Sequence, residues 1–459
     1  MKGIKLLLNI IFISLLFSCN KPTEPPDEPL APIIVEPILR LELDDVHCTE
    51  AWVMLKTERL RLPAEVKLKK FYPNGCLISQ TINLITKDTM LYFDSLRPKQ
   101  TYGYQVAVDW QAEAGKILQI YSDTLNVTTM DTTSHNFTFE MITFGGEIGS
   151  SVLYDVAIIN ENNIWAVGDI WIKDDTSSLG YTNYNAVHWD GSKWHLKRIR
   201  YYGNCSVVEY PPLFAIWAFS ENNIVITNGG SIGWFNGNTV NLDCRVNPLL
   251  TGYIKRMWGI SNSELYVVGI NGNIAFYNGT SWRKIESNTT LNINDIWGDY
   301  NEKTKEWEIL AVASNYGSSW DTEILKIKNN KAEKLSIDSN PVMEPLLTTW
   351  FVPNRQYYVA GAGIYQKKFL SDKLWKNNLF DITTFATTSI RGNGINDIVG
   401  GGAFGDFLHF NGVSWKQYKE AYLYNGAYTK VAVKDNLVVA VGGNMVSLAS
   451  EAVILIGRR

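Results

Sequence analysis

The sequence predicts an all-β protein, and three observations lead to this prediction. Short runs of alternating apolar residues are separated by Asn-Gly, Asp-Gly and Ser-Asn turns along most of the 459 residues. One unit of four such runs, at residues 254–285, has similar copies elsewhere in the chain. The 16 Trp and 23 Tyr residues favour strands over long helices. We therefore expect a β-sandwich at residues 37–131 and a seven-bladed β-propeller at residues 136–459.

The first residues have the features of an export signal. Lys2 and Lys5 precede the apolar run LLLNIIFISLLF, which is short for a membrane span. The sequence LFSC at residues 16–19 follows and resembles the lipobox of bacterial lipoproteins. This resemblance implies a signal peptide at residues 1–18, a lipid on Cys19, and a lipid-anchored protein of the bacterial cell envelope, at the outer membrane or cell surface. The alternative is an ordinary secretory signal, and in both cases the protein is exported.

Residues 19–36 separate the expected anchor from the first domain. The segment NKPTEPPDEPLAP within it is polar and rich in proline, and its apolar residues show no periodicity. Such a composition is typical of an extended tether.

The predicted sandwich contains seven alternating runs: LRLEL, AWVMLKT, EVKLKKF, CLISQTINL, TMLYFDSL, TYGYQVAVDW and DTLNVTTM. The stretch SLRPKQTYGYQV, at residues 95–106, resembles the corner between the fifth and sixth strands of fibronectin type III domains. That resemblance implies that the Tyr102 hydroxyl bonds to the backbone upstream, that Trp52 is the core tryptophan, and that Thr128 and Thr129 lie in the closing strand. It also implies that the domain is a spacer.

The seven copies of the larger repeat are aligned by a small residue at the end of each second strand. These residues are Gly168, Gly229, Gly269, Ala313, Gly361, Gly400 and Gly442. Their successive differences, from 39 to 61 residues, suit a propeller blade of four strands. A second marker, WDGSKW, YNGTSW or FNGVSW, joins the third strand to the fourth in three copies, and its glycine fits a tight turn.

The two ends of the repeat region are expected to form one blade together. Only one further strand, residues 452–457, fits after Gly442, so the last blade lacks its outer strand. The strand FTFEMITF, at residues 137–144, precedes the first blade and belongs to none. We predict that it completes the last blade and thereby removes two exposed strand edges.

Few residues in the repeats indicate catalysis. The propeller resembles exported bacterial propellers with sialidase-like repeats, but its turns lack the Ser-x-Asp of the Asp-box. Four carboxylates lie near strand ends, Asp155, Asp295, Asp299 and Asp397, and a pair of them would suit a glycosidase. Turn formation is the preferred interpretation of these residues. The candidate histidines, His188, His195 and His409, fall on third and fourth strands, away from the centre.

Composition limits cofactors and partners. No Cys/His cluster predicts a metal site, and no motif predicts a cofactor. The formal net charge of −4 gives no support for a nucleic-acid partner. In an oxidising compartment, Cys48 with Cys76 and Cys205 with Cys244 form possible disulfides, although four separate thiols are an equal alternative.

The remaining candidates are aromatic. Matching positions in the first strands of four successive blades hold Trp217, Trp258, Trp297 and Trp350. These indoles either fill the space between blades or form a platform for a ligand. We expect a monomeric surface protein that binds a glycan or a protein ligand, with the sandwich as spacer. The alternatives are a glycan hydrolase or lyase and a structural component of envelope assembly.

Overall fold

The computed structural model describes residues 35–111, 116–315, 317, 319–335, 345–377 and 381–459. The regular structure in these ranges is β-strand, with short 3₁₀ turns at Asn247–Leu249 and Lys419–Ala421, so the protein is all-β as predicted. The predicted signal peptide, Cys19 and most of the tether lie outside these ranges. Within them, no helix is both long enough and apolar enough to cross a membrane.

The strands before residue 130 form two sheets. The first sheet contains, in spatial order, β1 (Ile38–Val46), β2 (Ala51–Glu58) and β5 (Asp88–Phe93). The second contains β4 (Leu77–Leu84), β3 (Ala64–Phe71), β6 (Thr101–Gln111) and β7 (Ile117–Tyr121), and β8 (Leu125–Thr128) also pairs with β6. Strand β7 is not among the predicted strands. Its residues are half-buried or exposed, so the burial pattern that marks a core strand is weak.

The corner expected at Tyr102 has the contact that the fibronectin type III resemblance implies. The backbone N–H of Arg97 donates a hydrogen bond to the Tyr102 hydroxyl at 2.8 Å. The Tyr102 ring is buried, and Trp52 is buried as well. The chain divides into two compact units, of which the first contains residues 35–42, 53–91 and 103–126 and the second contains residues 43–52, 92–102 and 127–459.

Seven antiparallel sheets of four strands follow, and we call them blades 1 to 7. Blade 1 contains β10 (Val152–Asn160), β11 (Asn163–Lys173), β12 (Tyr181–Trp189) and β13 (Trp194–Lys197). Blade 2 contains β14 (Ala215–Ser220), β15 (Asn223–Thr227), β16 (Ile232–Phe235) and β17 (Val240–Asp243). Blade 3 contains β18 (Ile254–Ser261), β19 (Glu264–Gly269), β20 (Ile274–Tyr277) and β21 (Trp282–Lys284).

The remaining blades repeat this order. Blade 4 contains β22 (Ile293–Asn301), β23 (Glu306–Ser314), β24 (Thr322–Lys328) and β25 (Lys331–Lys334). Blade 5 contains β26 (Leu346–Val352), β27 (Gln356–Gly361), β28 (Ile364–Lys367) and β29 (Lys376–Asn377). Blade 6 contains β30 (Thr387–Gly394), β31 (Asp397–Gly402), β32 (Phe407–Phe410) and β33 (Trp415–Gln417). Blade 7 contains β34 (Gly426–Lys434), β35 (Leu437–Val446), β36 (Ala449–Arg458) and β9 (Thr138–Gly145).

Blade 7 confirms the predicted pairing of the two ends of the repeat region. Strand β9 is its outer strand and runs antiparallel to β36, from Thr138 opposite Arg458 to Gly145 opposite Glu451. The first strands of successive blades contact one another, and β34 of blade 7 contacts β10 of blade 1. This cyclic order of contacts is that of a β-propeller.

The small residue at the end of the second strand has a steric cause in five blades, and the register corrects two predicted markers. In blade 2 the equivalent residue is Asn228, so Gly229 is one residue too late. A Cβ on Gly168, Gly269 or Gly442 would lie about 2 Å from a carbonyl oxygen at the start of the blade's own first strand or of the residue just before it. In blade 6 that position is held by Gly402, whose added Cβ would lie 2.0 Å from the carbonyl oxygen of Ala386. Gly400, the predicted marker, is two residues too early.

The turn between the third and fourth strands is built alike in all three marked blades. In blade 3, Asn278 Oδ1 accepts hydrogen bonds from the backbone N–H groups of Thr280 at 3.0 Å and Ser281 at 2.8 Å. Gly279 has a φ of 89°, and Tyr277 packs on its cross-strand partner Trp282 with ring centroids 5.0 Å apart. The marker is therefore a structural hairpin.

Only one of the two possible disulfides is formed. Cys205, in the long loop between blades 1 and 2, is bonded to Cys244, which follows the last strand of blade 2. Cys48 is a buried thiol and Cys76 an exposed thiol.

Candidate functional site

The register of the blades aligns two positions on every first strand. The first position lies opposite the residue before the small marker, or opposite Thr227 in blade 2, and holds Asp155, Ala215, Arg256, Asp295, Thr348, Ser389 and Lys430 in blades 1 to 7. The second position, two residues later, holds Ala157, Trp217, Trp258, Trp297, Trp350, Arg391 and Ala432. The four predicted tryptophans are thus equivalent by position, as expected.

A cavity of about 200 Å³ lies among these first strands. We call it the channel cavity. Six of the seven blades contribute to it, and its lining includes Asp155, Trp217, Met257, Trp297, Arg391 and Lys430 together with residues 431–434. It therefore combines indole rings, aliphatic side chains and charged groups in one small space.

Asp295 is the centre of a buried charge network beside this cavity. Arg391 donates to both carboxylate oxygens, at 2.9 Å to Oδ2 and 2.8 Å to Oδ1. The hydroxyl of Thr348 and the backbone N–H of Thr349 also donate to Oδ2, at 2.7 and 3.2 Å. Burial alone would raise the pKa of Asp295, but the neighbouring cations Arg391 and Lys430 hold it well below its usual range. Asp295 is therefore ionised and joins blades 4, 5, 6 and 7.

Lys430 is the second buried cation of the network. Its ammonium lies 3.2 Å from Asp295 Oδ1, and the whole residue is 7% exposed. Burial and the positive charge of Arg391 lower the pKa of Lys430 to about 8. Unlike Asp295, Lys430 lines the cavity itself.

Asp155 has a structural role between blades 1 and 2. It is 4% exposed, and its Oδ1 accepts a hydrogen bond from the backbone N–H of Val156 at 2.9 Å. Its Oδ2 accepts from the backbone N–H of Ile216 at 3.1 Å. Both oxygens are thus fixed by the backbone, which suits a carboxylate that links neighbouring blades.

The structure separates the four predicted tryptophans into two pairs. Trp258 and Trp350 are buried, with 3% and 2% of their surfaces exposed. Trp217 and Trp297 are half-buried and line the channel cavity. Their ring centroids are 6.2 Å apart at an interplanar angle of 71°. Only this second pair is available to a ligand in the cavity.

Two further features distinguish the cavity pair. The guanidinium of Arg391 lies 5.0 Å from the centroid of the Trp297 ring, a distance at which a cation and an aromatic face attract each other. The indole nitrogens of Trp217 and Trp297 are buried, and neither has a hydrogen-bond partner among the residues that the structure describes. Each is a donor left free on the wall of the site.

The other candidate carboxylates lie away from the cavity. Asp299 accepts a hydrogen bond from the backbone N–H of Tyr300 at 2.8 Å, and burial together with Glu308 raises its pKa. Asp397 is bound by His409 at 3.0 Å and by Arg459 at 2.9 Å. The structure thus brings Asp155 and Asp295 to the channel and keeps Asp299 and Asp397 elsewhere.

The candidate histidines lie where they are expected. His188 is on β12, His195 on β13 and His409 on β32, which are third and fourth strands of their blades. In the described part of the chain, no group of three His, Cys, Asp or Glu side chains is placed to hold a metal ion.

Sequence reasoning missed the charged half of the site. Arg391 and Lys430 were not among the candidate residues, because each is a single cation in a strand of ordinary pattern. Arg391 occupies the tryptophan position of blade 6, and Lys430 occupies the Asp295 position of blade 7. An alignment of all seven first strands, instead of the four that carry tryptophan, would have placed both residues in the same rows.

No protein-family model matches the chain, and no curated protein matches it. Among solved structures, it is similar to the WD40 β-propeller domain of Doa1, with 12% sequence identity, a TM-score of 0.46, and coverage of 71% of this chain and 98% of that chain. It is also similar to BBS1N in complex with ARL6DN, with 11% identity, a TM-score of 0.40, and coverage of 67% and 97%. At such identities the similarity says nothing of function, which must be inferred from the side chains around the cavity.

Proposed function

We propose that the protein is an exported, lipid-anchored protein of the bacterial cell envelope whose propeller binds a glycan in the channel cavity. The observation that carries this proposal is the placement of the half-buried rings of Trp217 and Trp297 beside the buried charges of Arg391 and Lys430. Aromatic faces stack on the apolar faces of sugar rings, while charged groups bind hydroxyl and acidic substituents. The fibronectin type III-like sandwich is a spacer in this proposal, and the anchor is Cys19.

The size of the cavity favours a sugar over a protein surface. At about 200 Å³ it is smaller than the sites of roughly 300 to 1,000 Å³ that enclose drug-sized ligands, so one ring fills it. A stable protein partner buries about 800 Å² on each side, most of which would have to lie outside the cavity. A protein ligand would therefore use the cavity for a single side chain.

Catalysis has less support than binding. A glycosidase needs one carboxyl that is protonated and one that is free to attack or to activate water. Asp295 is held ionised by Arg391 and Lys430, and both oxygens of Asp155 are bound by backbone N–H groups. Neither carboxylate is suited to donate a proton.

The test of binding is a glycan array probed with the purified full-length protein. Trp217→Ala and Trp297→Ala should each lose binding while keeping the wild-type circular dichroism spectrum, because each removes one wall of the cavity. Trp320→Ala is the matched control, since Trp320 is 72% exposed and is not in the cavity lining. If no glycan binds, or if both wall variants bind as tightly as the wild type, the proposal is wrong.

The anchor is tested separately by membrane fractionation. Cys19→Ala should move the protein from the membrane fraction to the soluble fraction and abolish labelling by a radioactive fatty acid. Continued fatty-acid labelling of the variant would exclude Cys19 as the site of acylation.

A further inference from the structure

We propose that the ligand of the channel cavity carries one acidic group and that the ammonium of Lys430 binds it. This inference rests on the proposed function, because it takes the cavity as the glycan site and names the class of glycan. The expected ligand residue is a sugar with a single carboxylate.

Lys430 has hydrogen-bonding capacity that the protein does not use. An ammonium group has three donors, and among the described residues the only acceptor for Lys430 is Asp295 Oδ1, at a long 3.2 Å. The residue is more than nine-tenths buried, so water replaces the missing acceptors only inside the cavity itself. A buried ammonium with unused donors is costly, and an anionic ligand oxygen would satisfy them.

The buried network also carries an excess of positive charge. Lys430 interacts with the two cations Arg391 and Arg256 and with the two carboxylates Asp295 and Asp155. These three cations, Lys430 included, and two carboxylates leave one net positive charge.

Two further lysines lie near this network, Lys255, which is half-buried, and Lys434, which is exposed. Lys255, whose ammonium donates to Asn294 Oδ1 at 2.6 Å, is a further cation near Asp295. Lys434 also lines the cavity, and its ammonium donates to the carbonyl oxygen of Ile159 at 2.6 Å. An uncompensated buried charge is unfavourable, so a negatively charged group on a ligand would offset part of this excess.

Arg391 makes more hydrogen bonds within the protein than Lys430 does. Its Nη1 donates to Asp295 Oδ2 and to the carbonyl oxygens of Thr349 and Ile390, at 2.9, 3.1 and 2.7 Å. Its Nη2 donates to Asp295 Oδ1 at 2.8 Å. The guanidinium is thus fixed against Asp295 and the face of Trp297, so its position in the cavity wall is set by the protein.

Asp155 limits the ligand to one acidic group. Its carboxylate also lines the cavity, and each oxygen, although bound to a backbone N–H, keeps a lone pair that accepts from a hydroxyl. A second acidic group beside Asp155 would be repelled. Sugar hydroxyls at Asp155, a carboxylate at Lys430 and a ring face on Trp217 or Trp297 together describe a uronic acid residue.

The test compares ligands that differ only in the acidic group. Titration calorimetry of the full-length protein should give tighter binding of glucuronic acid oligosaccharides than of the matching glucose oligosaccharides, by about 10- to 100-fold for one charge-assisted hydrogen bond. A sulfated glucose oligosaccharide is the third ligand, and tighter binding of this ligand than of the glucuronic acid would replace carboxylate by sulfate as the acidic group.

Lys430→Met should remove the preference for the acidic ligand, so that its affinities for the acidic and the neutral oligosaccharide lie within about threefold of each other. Lys430→Arg keeps the positive charge and should keep part of the preference for the acidic oligosaccharide. This variant provides the test if Lys430→Met does not fold. Lys326→Met is the control on a strand away from the cavity lining.

If the neutral oligosaccharide binds as tightly as both acidic ones, the inference about Lys430 is wrong while glycan binding stands. An acidic preference that persists unchanged in Lys430→Met also overturns it. If none of the ligands binds to a folded wild-type protein, the proposed function and this inference fail together.

Discussion

Two pairs of tryptophans occupy the same position on their first strands but have different surroundings. Trp258 and Trp350 are buried between blades, whereas Trp217 and Trp297 face the channel cavity. The difference arises in the neighbouring blade. A Cβ on Gly298 would lie 2.4 Å from the Trp258 ring, and a Cβ on Gly392 would lie 2.6 Å from the Trp350 ring. Each buried indole thus fills the space that a glycine of the next blade leaves open.

The other two tryptophans, Trp217 and Trp297, do not have such a space beside their rings. The residue of blade 5 that is equivalent to Gly298 and Gly392 is Phe351, which is fully buried, so Trp297 is kept towards the centre. For Trp217 the equivalent residue is Gly259, but the Phe219 ring already lies 2.9 Å from where its Cβ would be. The residue that occupies the space beside the ring, Phe351 of the next blade for Trp297 and Phe219 of the same strand for Trp217, thus decides whether an indole is structural or available to a ligand.

The largest expected effect is the loss of a buried indole. Trp350→Ala should lower the free energy of unfolding by about 3 to 5 kcal/mol, because a large side chain is removed from a packed space that cannot collapse. Trp297→Ala should cost less, about 1 kcal/mol, since part of its ring borders the channel cavity instead of packed side chains. Urea denaturation followed by circular dichroism measures both values. Equal losses of unfolding free energy in the two variants would contradict the division of the four tryptophans into a buried pair and a cavity pair.

A methyl group added at Gly392 tests the packing of the Trp350 ring from the side of blade 6. Gly392→Ala should destabilise the protein by about 1 to 3 kcal/mol through overpacking against Trp350. In a Trp350→Ala background the same substitution should cost less, and the difference is the coupling between the two residues. Gly394→Ala is the matched control on the same strand, because its nearest neighbour lies 3.6 Å from the added Cβ. A cost of Gly392→Ala that does not depend on Trp350 would show that the two residues are not coupled.

The sequence predicts the blades well and the site poorly, for physical reasons. Each blade is a local meander, so its period, its turns and its small markers lie within about 40 residues and are readable in order. The pairing of β9 with β36 was readable because each end of the repeat region is incomplete alone. The site depends on contacts between blades: Arg391 and Lys430 reach Asp295 across separations of 96 and 135 residues. No local pattern records such contacts, and none distinguishes Trp217 from Trp258.

The smallest expected effect is in blade 6, where a second carboxylate is bound by a histidine and an arginine. Asp397 is bound there by His409 and Arg459, and His135 Nδ1 lies 2.8 Å from His409 Nδ1. Burial, with the positive charges of His409, Lys416 and Arg459, lowers the pKa of His135 to about 4.

In the unfolded chain the pKa of a histidine is about 6.5, so between pH 4 and 6.5 the unfolded state binds more protons than the folded state. His135 therefore contributes its full stability above pH 6.5 and loses it as the pH falls to 4. After allowance for solvent screening, the free energy of unfolding should fall by about 1 kcal/mol between pH 6.5 and pH 4. His135→Gln should flatten the dependence of unfolding free energy on pH in this window and leave a constant difference from the wild type between pH 7 and 8. An unchanged slope in the variant would mean that groups other than His135 cause the pH dependence of the unfolding free energy.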